Sequence, residues 1–99
     1  MEALARILPG LLHDLGLEEG AAGWRAVSEW PALAGEMVAR RARATGFRDG
    51  LLTVEVEGSA WMHELSYHKR DLVRRANQHI GMAVVRDVRF VLARGGNLR

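Results

Sequence analysis

Four histidines, His13, His63, His68 and His79, are the side chains best suited to hold a metal or move a proton, yet no two of them are four residues apart and the chain has no cysteine. A helical zinc site needs such a pair, and a thiolate site or disulfide needs cysteine, so no metal site is expected. Nucleophilic catalysis fares no better. Ser28, Ser59 and Ser66 lack a nucleophile-elbow context, and neither a phosphate-cradling glycine loop nor a dinucleotide fingerprint is present. The carboxylates have ordinary structural uses: Asp14, Glu18 and Glu19 at helix ends, Asp49 in a turn, Glu55 and Glu57 on the wet side of a strand. The expectation is therefore a protein without catalytic residues, without a cofactor and without a small-molecule substrate.

Cations offer a different chemistry. Residues 1–36 hold two arginines against six carboxylates, whereas residues 37–99 hold twelve Arg and Lys against six. Such asymmetry marks a surface able to bind a polyanion. Within the basic part, His63, Arg70, Arg74 and Asn77 fall in a narrow arc when wound at about 100° per residue on one helix. Arg75 has Asp71 four residues before it, while Arg70 and Arg74 are expected to have no carboxylate on their own side. Planar guanidinium forks match phosphate oxygens, so these two form a candidate phosphate-binding ridge, while His68 and Lys69 fall within or beside the helix's apolar stripe. Arg40, Arg41 and Arg43 at a strand entry could extend the same surface. Among the aromatics, Trp24, Trp30 and Trp61 lie in or beside apolar helical stripes and are expected in the core. Tyr67 lies opposite its stripe and is the candidate for base stacking or partner contact.

The elements that would position these residues follow from hydrophobic periodicity. Leu4, Ile7, Leu8, Leu11, Leu12 and Leu15 predict a first amphipathic helix closing at Gly16, with Pro9 kinking it or marking its regular start. A second helix runs from Glu18 to Glu29 with acidic residues in its first turn. Trp30-Pro31 ends it, and a third spans Pro31 to Ala39. The period then drops to 2. Arg40 to Phe47, a turn at Arg48-Asp49-Gly50 and Leu51 to Glu57 read as a hairpin. Leu52, Val54 and Val56 face one side of the second strand. In the first, turning Phe47 and Thr45 inward also turns Arg43 and Arg41 inward, so those arginines must lie beyond the core edge. Gly58 to Gly81 is helical, with Ser59 as N-cap and Gly81 as C-cap. A stripe of Trp61, Leu65, Leu72, Ala76 and Ile80 is interrupted near Ser66-Tyr67-His68, which predicts two helices. A last strand runs from Val84 to Leu92. The fold class is α+β, with a three-stranded sheet covered by helices on one face, in one domain over residues 1–94 and a short tail at 95–99. No apolar run approaches the roughly 18 residues of a membrane span, so a soluble protein without membrane contact is expected.

Several blocks in this order resemble a known family: Trp30-Pro31-Ala32-Leu33-Ala34-Gly35, Asp49-Gly50-Leu51-Leu52-Thr53-Val54-Glu55-Val56, Ser59-Ala60-Trp61-Met62-His63-Glu64-Leu65, Asn77-Gln78-His79-Ile80-Gly81 and Val88-Arg89-Phe90. Each alone encodes a cap, turn or core contact, but their order and spacing over residues 4 to 92 are similar to the bacterial DciA family, the DnaB-associated loaders or operators of the replicative helicase. The resemblance implies a K-homology (KH)-like domain of type II, a bacterial cytoplasmic location, a replicative helicase of the DnaB type as partner, and affinity for DNA, with single strands the expected form. The nucleic-acid contacts would fall on Arg40, Arg41, Arg43, His63, Tyr67, Lys69, Arg70, Arg74 and Asn77. The break Leu65-Ser66-Tyr67-His68-Lys69 has no Gly-x-x-Gly, so the backbone clamp of RNA-binding KH domains is not expected. Two other readings stay open, a protein-interaction module docking through its acidic amino-terminal helices and a KH-like RNA-binding protein.

Overall fold

The computed structural model describes residues 18–93. The helix expected over Leu4 to Leu15 and the tail at 95–99 lie outside them. Helix α1, Glu18–Ser28, begins with Glu18 and Glu19 where the helix dipole favours acidic groups. Its Gly23 faces the ring of Phe47, and a Cβ there would lie 2.1 Å from a ring carbon. Glycine is what lets this helix approach the sheet so closely.

The single helix expected over Pro31 to Ala39 is two: α2, Trp30–Ala34, and α3, Glu36–Arg41. Gly35 separates them at φ 92°, ψ 158°, a conformation that only glycine adopts without strain and that no helix can contain. Trp30 is 1% exposed, and its indole N–H donates to the Ala42 carbonyl at 2.9 Å, fixing α2 to the first strand.

Strands β1, Ala42–Arg48, and β2, Leu51–Val56, form the hairpin around Asp49 and Gly50, both at positive φ as a tight two-residue turn requires. Register resolves the conflict in β1. Ala44 pairs with Val54 but Gly46 pairs with Thr53, leaving Thr45 as an extra residue in a bulge. The bulge reverses the alternation, so Ala42 and Ala44 are buried ahead of it and Phe47 turns to the core after it. Thr45 is exposed, and Arg43, expected to turn inward beyond the core edge, lies on the face opposite the buried Ala42 and Ala44, with Arg41 exposed just ahead of the strand.

Helices α4, Ser59–Ser66, and α5, Lys69–Ile80, are separate as expected, joined through Tyr67 and His68. They form the crossover to β3, Asp87–Leu92, which pairs in parallel with β2, giving the sheet order β1-β2-β3. Gly58, not Ser59, occupies the N-cap position of α4, and no side chain caps that end. Gly81 closes α5 in the left-handed conformation. Leu52, Val54, Val56, Leu65, Leu72, Ala76, Ile80 and Val88 are among the core residues between helices and sheet. Two tryptophans depart from the expectation: Trp24 is 51% and Trp61 36% exposed. Among the described residues no helix is long and apolar enough to cross a membrane.

Candidate nucleic-acid interface

The expected ridge came from winding one continuous helix, and the turn at Tyr67-His68 divides it. His63 and Tyr67 belong to the α4 end. The Tyr67 hydroxyl and His63 Nε2 are 3.1 Å apart, their rings meet edge to face, and Tyr67 is 72% exposed. His68 approaches Glu64 at 3.5 Å. Immediately beyond, Lys69 Nζ lies 3.6 Å from Asp87 at the start of β3, and Arg70 is exposed with no ion pair or side-chain hydrogen bond among the described residues. No side chain caps the start of α5, which leaves first-turn N–H groups and the positive dipole end beside those two cations.

Farther along α5 the side chains are engaged. Arg74, expected to be without a carboxylate, pairs with Asp71 three residues earlier. Asp71 also meets Arg75 Nε at 2.9 Å, and Arg75 donates to the Ala34 carbonyl at 3.2 Å. The Arg74 hydrogen bond, ahead of the surrounding positive charge, holds the Asp71 carboxyl below its ordinary range. Asn77 does not project outward. Its amide nitrogen donates to the Val85 carbonyl at 2.9 Å, and its oxygen accepts the Val85 N–H at 2.8 Å. Both backbone groups of a buried residue are thus satisfied by one side chain, and Val84 and Val85 stay out of the sheet, so β3 begins at Asp87 instead of Val84.

The three arginines at the strand entry are placed elsewhere and are paired. Arg40 meets Glu36 at 2.8 Å within α3. Arg41 meets Glu57 at 3.4 Å and Arg43 meets Glu55 at 3.5 Å across the β1–β2 pair. The Arg41 guanidinium also lies 5.6 Å from the centre of the Trp61 ring. Arg40 and Arg43 border a hollow of about 410 Å³ floored by Val27, Trp30, Ala42 and Ala44. Behind α5, Arg25 Nε donates to Glu29 at 2.9 Å and His79 Nε2 is 2.8 Å from the same carboxylate, tying α1 to α5. The Arg25 hydrogen bond, seconded by that of His79, lowers Glu29 from its ordinary 4.5 to about 2.

The tertiary structure therefore brings Tyr67, His63, Lys69 and Arg70 together at the α4–α5 turn and leaves Arg40, Arg41 and Arg43 in a separate, charge-compensated group. Three cations outside the expected set, Arg48, Arg86 and Arg89, are exposed around the hairpin turn and β3. No pattern in the sequence shows that parallel pairing with β2 carries Arg89 next to the hairpin.

Residues 3–90 match the family described as Dna[CI] antecedent, DciA. A UPF0232 protein of Mycolicibacterium paratuberculosis is 28% identical over 89 residues, covering 90% of this chain and 49% of the relative. One of Rhodococcus jostii is 32% identical over 64 residues, 65% of this chain and 34% of the relative. One of Mycolicibacterium smegmatis is 26% identical over 98 residues, 99% of this chain and 50% of the relative. The chain thus spans about half or less of these relatives' length. With the family match covering nearly the whole of the described fold, the chain belongs to the DciA family.

Proposed function

We propose that this chain is a non-catalytic bacterial replication factor that binds nucleic acid at the α4–α5 turn and engages a replicative helicase of the DnaB type to promote its loading. It acts in the cytoplasm, and the chemistry of strand separation belongs to the helicase. The observation that carries the nucleic-acid reading is the juxtaposition of an exposed aromatic, Tyr67, with Lys69 and with Arg70, which has no partner among the described residues. Phosphates bind the two cations, and a base with an open face stacks on the Tyr67 ring, which favours single strands over duplex. The helicase partner follows from family membership. A hairpin, two helices joined by a short turn and a strand parallel to the hairpin's second strand support a KH-like, type II arrangement, with side chains replacing the glycine clamp.

Fluorescence anisotropy with labelled single- and double-stranded oligonucleotides at several salt concentrations tests the binding. Affinity falls as salt rises, because neutralised phosphates release counterions. Arg70→Glu weakens binding more than Arg74→Glu does, since Asp71 already compensates Arg74. Equal effects of the two variants, or binding independent of salt, refute the surface assignment. A pull-down with the organism's replicative helicase, with and without single-stranded DNA, tests the second partner, and failure in both conditions refutes it.

A further inference from the structure

Beyond the turn, the basic surface continues onto the face of the sheet opposite the core. In the β1–β2–β3 register Arg48, Leu51 and Asp87 form one row, Phe47, Leu52 and Val88 the next, and Gly46, Thr53 and Arg89 the third, on the same face as the first. Leu52 and Val88 are buried, so Arg48 and Arg89 point to the side opposite the core. With strands about 4.8 Å apart, the Arg48 and Asp87 backbones are separated by about 10 Å. Arg86 lies over the turn: its N–H donates to the Gly50 carbonyl at 2.7 Å, and its side-chain carbons pack on Gly50. Neither Arg86 nor Arg89 has an ion pair or side-chain hydrogen bond among the described residues. Arg48 meets only Asp49, at 3.7 Å, with both side chains 92% exposed, where solvent screening leaves such a pair little strength.

The Lys69–Asp87 contact joins this group to the α4–α5 turn. From the α4–α5 turn along β3 to the hairpin end of the sheet the chain therefore carries Arg48, Lys69, Arg70, Arg86 and Arg89, with Asp49, Glu64 and Asp87 as the carboxylates beside them. Contrast the other arginine group, where Arg40, Arg41 and Arg43 each have their own glutamate. Uncompensated guanidiniums gain from a partner that supplies negative charge at regular intervals, and a phosphodiester backbone does so.

We propose that Arg48, Arg86 and Arg89 form a second phosphate-binding patch, so that a nucleic-acid strand held at the α4–α5 turn continues around the edge of β3 and across the hairpin end of the sheet. This rests on the nucleic-acid reading of the turn and assigns the path of the strand beyond it. Each arginine that neutralises a phosphate contributes about 0.7 to the slope of log affinity against log salt for a single strand.

The test is anisotropy of a labelled oligothymidylate titrated with the 99-residue chain at salt concentrations between about 50 and 200 mM. For Arg86→Gln/Arg89→Gln the slope becomes shallower by about 1.4, the sum of two such contributions. Arg86→Lys/Arg89→Lys keeps the charge and keeps the slope. An unchanged slope in the Gln variant, while Arg70→Glu reduces it, overturns the second patch and leaves the turn assignment standing. A shallower slope in the Lys variant as well assigns the arginines a folding role and also overturns it. Absence of oligothymidylate binding by the unaltered chain removes both readings. Loss of binding to a protein partner with the slope intact assigns the patch to that partner instead.

Discussion

Replacing Asn77 by alanine separates a structural role from a nucleic-acid role at a position that sequence patterning places on the binding ridge. In the fold its amide bonds both the N–H and the carbonyl of Val85, which is 2% exposed. Alanine removes both partners at once. A buried backbone group left without a partner costs about 1–3 kcal/mol, and partial access of water to this site from the Asn77 side offsets some of the doubled loss, giving about 2 kcal/mol. For a domain of this size that lowers Tm by about 8–16 °C. Asn77→Asp retains the acceptor for the Val85 N–H but sets a carboxylate against the Val85 carbonyl, so it also destabilises. The assay is thermal unfolding by circular dichroism, with oligonucleotide anisotropy on the same samples below the transition. The expected outcome for Asn77→Ala is a lowered Tm with an unchanged salt slope of binding. An unchanged Tm together with a shallower slope would falsify the structural assignment and return Asn77 to the ridge.

Gly23→Ala gains about 1 kcal/mol of helix propensity but drives a methyl group into Phe47, and overpacking of about 1–3 kcal/mol leaves a net loss measurable by urea unfolding. Pairing it with Phe47→Leu restores stability relative to Phe47→Leu alone, and additive losses would contradict the contact. Trp30→Phe leaves the Ala42 carbonyl buried without its indole donor and costs about 1–3 kcal/mol by the same measurement; no change would discount that bond. Glu29 is depressed in the folded protein, so its stabilisation is fully present above its ordinary 4.5 and is lost as pH falls towards about 2. Acid unfolding of Glu29→Gln is accordingly less steep over that window, and a curve of unchanged shape would show that the Arg25–Glu29–His79 cluster does not couple to folding. The difference shrinks in high salt, because the cluster is partly exposed.

The amino-acid sequence by itself determined the α+β class, the hairpin about Asp49-Gly50, the two helices of the crossover and the alternation of β2, because each depends on local periodicity, a turn residue or a cap. It also carried the ordered blocks by which the family is recognised. It could not determine phase in β1, since whether Arg43 or Ala44 faces the core depends on one bulged residue, Thr45, whose position is set by pairing with β2. Nor could it find the break at Gly35, where the helical pattern continues through a glycine whose backbone conformation is fixed by tertiary packing. The proposed binding surface divides in the same way. That Tyr67, Lys69 and Arg70 lie side by side was legible because neighbours in sequence stay neighbours at a short turn. Arg74, Asn77 and the strand-entry arginines had visible charge or polarity, but their partners come from the fold: Asp71 on the adjoining turn of α5, the Val85 backbone, and Glu55 and Glu57 across the hairpin. Only the tertiary structure decided which cations remain uncompensated, because a charge is available to a ligand only after every carboxylate within reach has been placed.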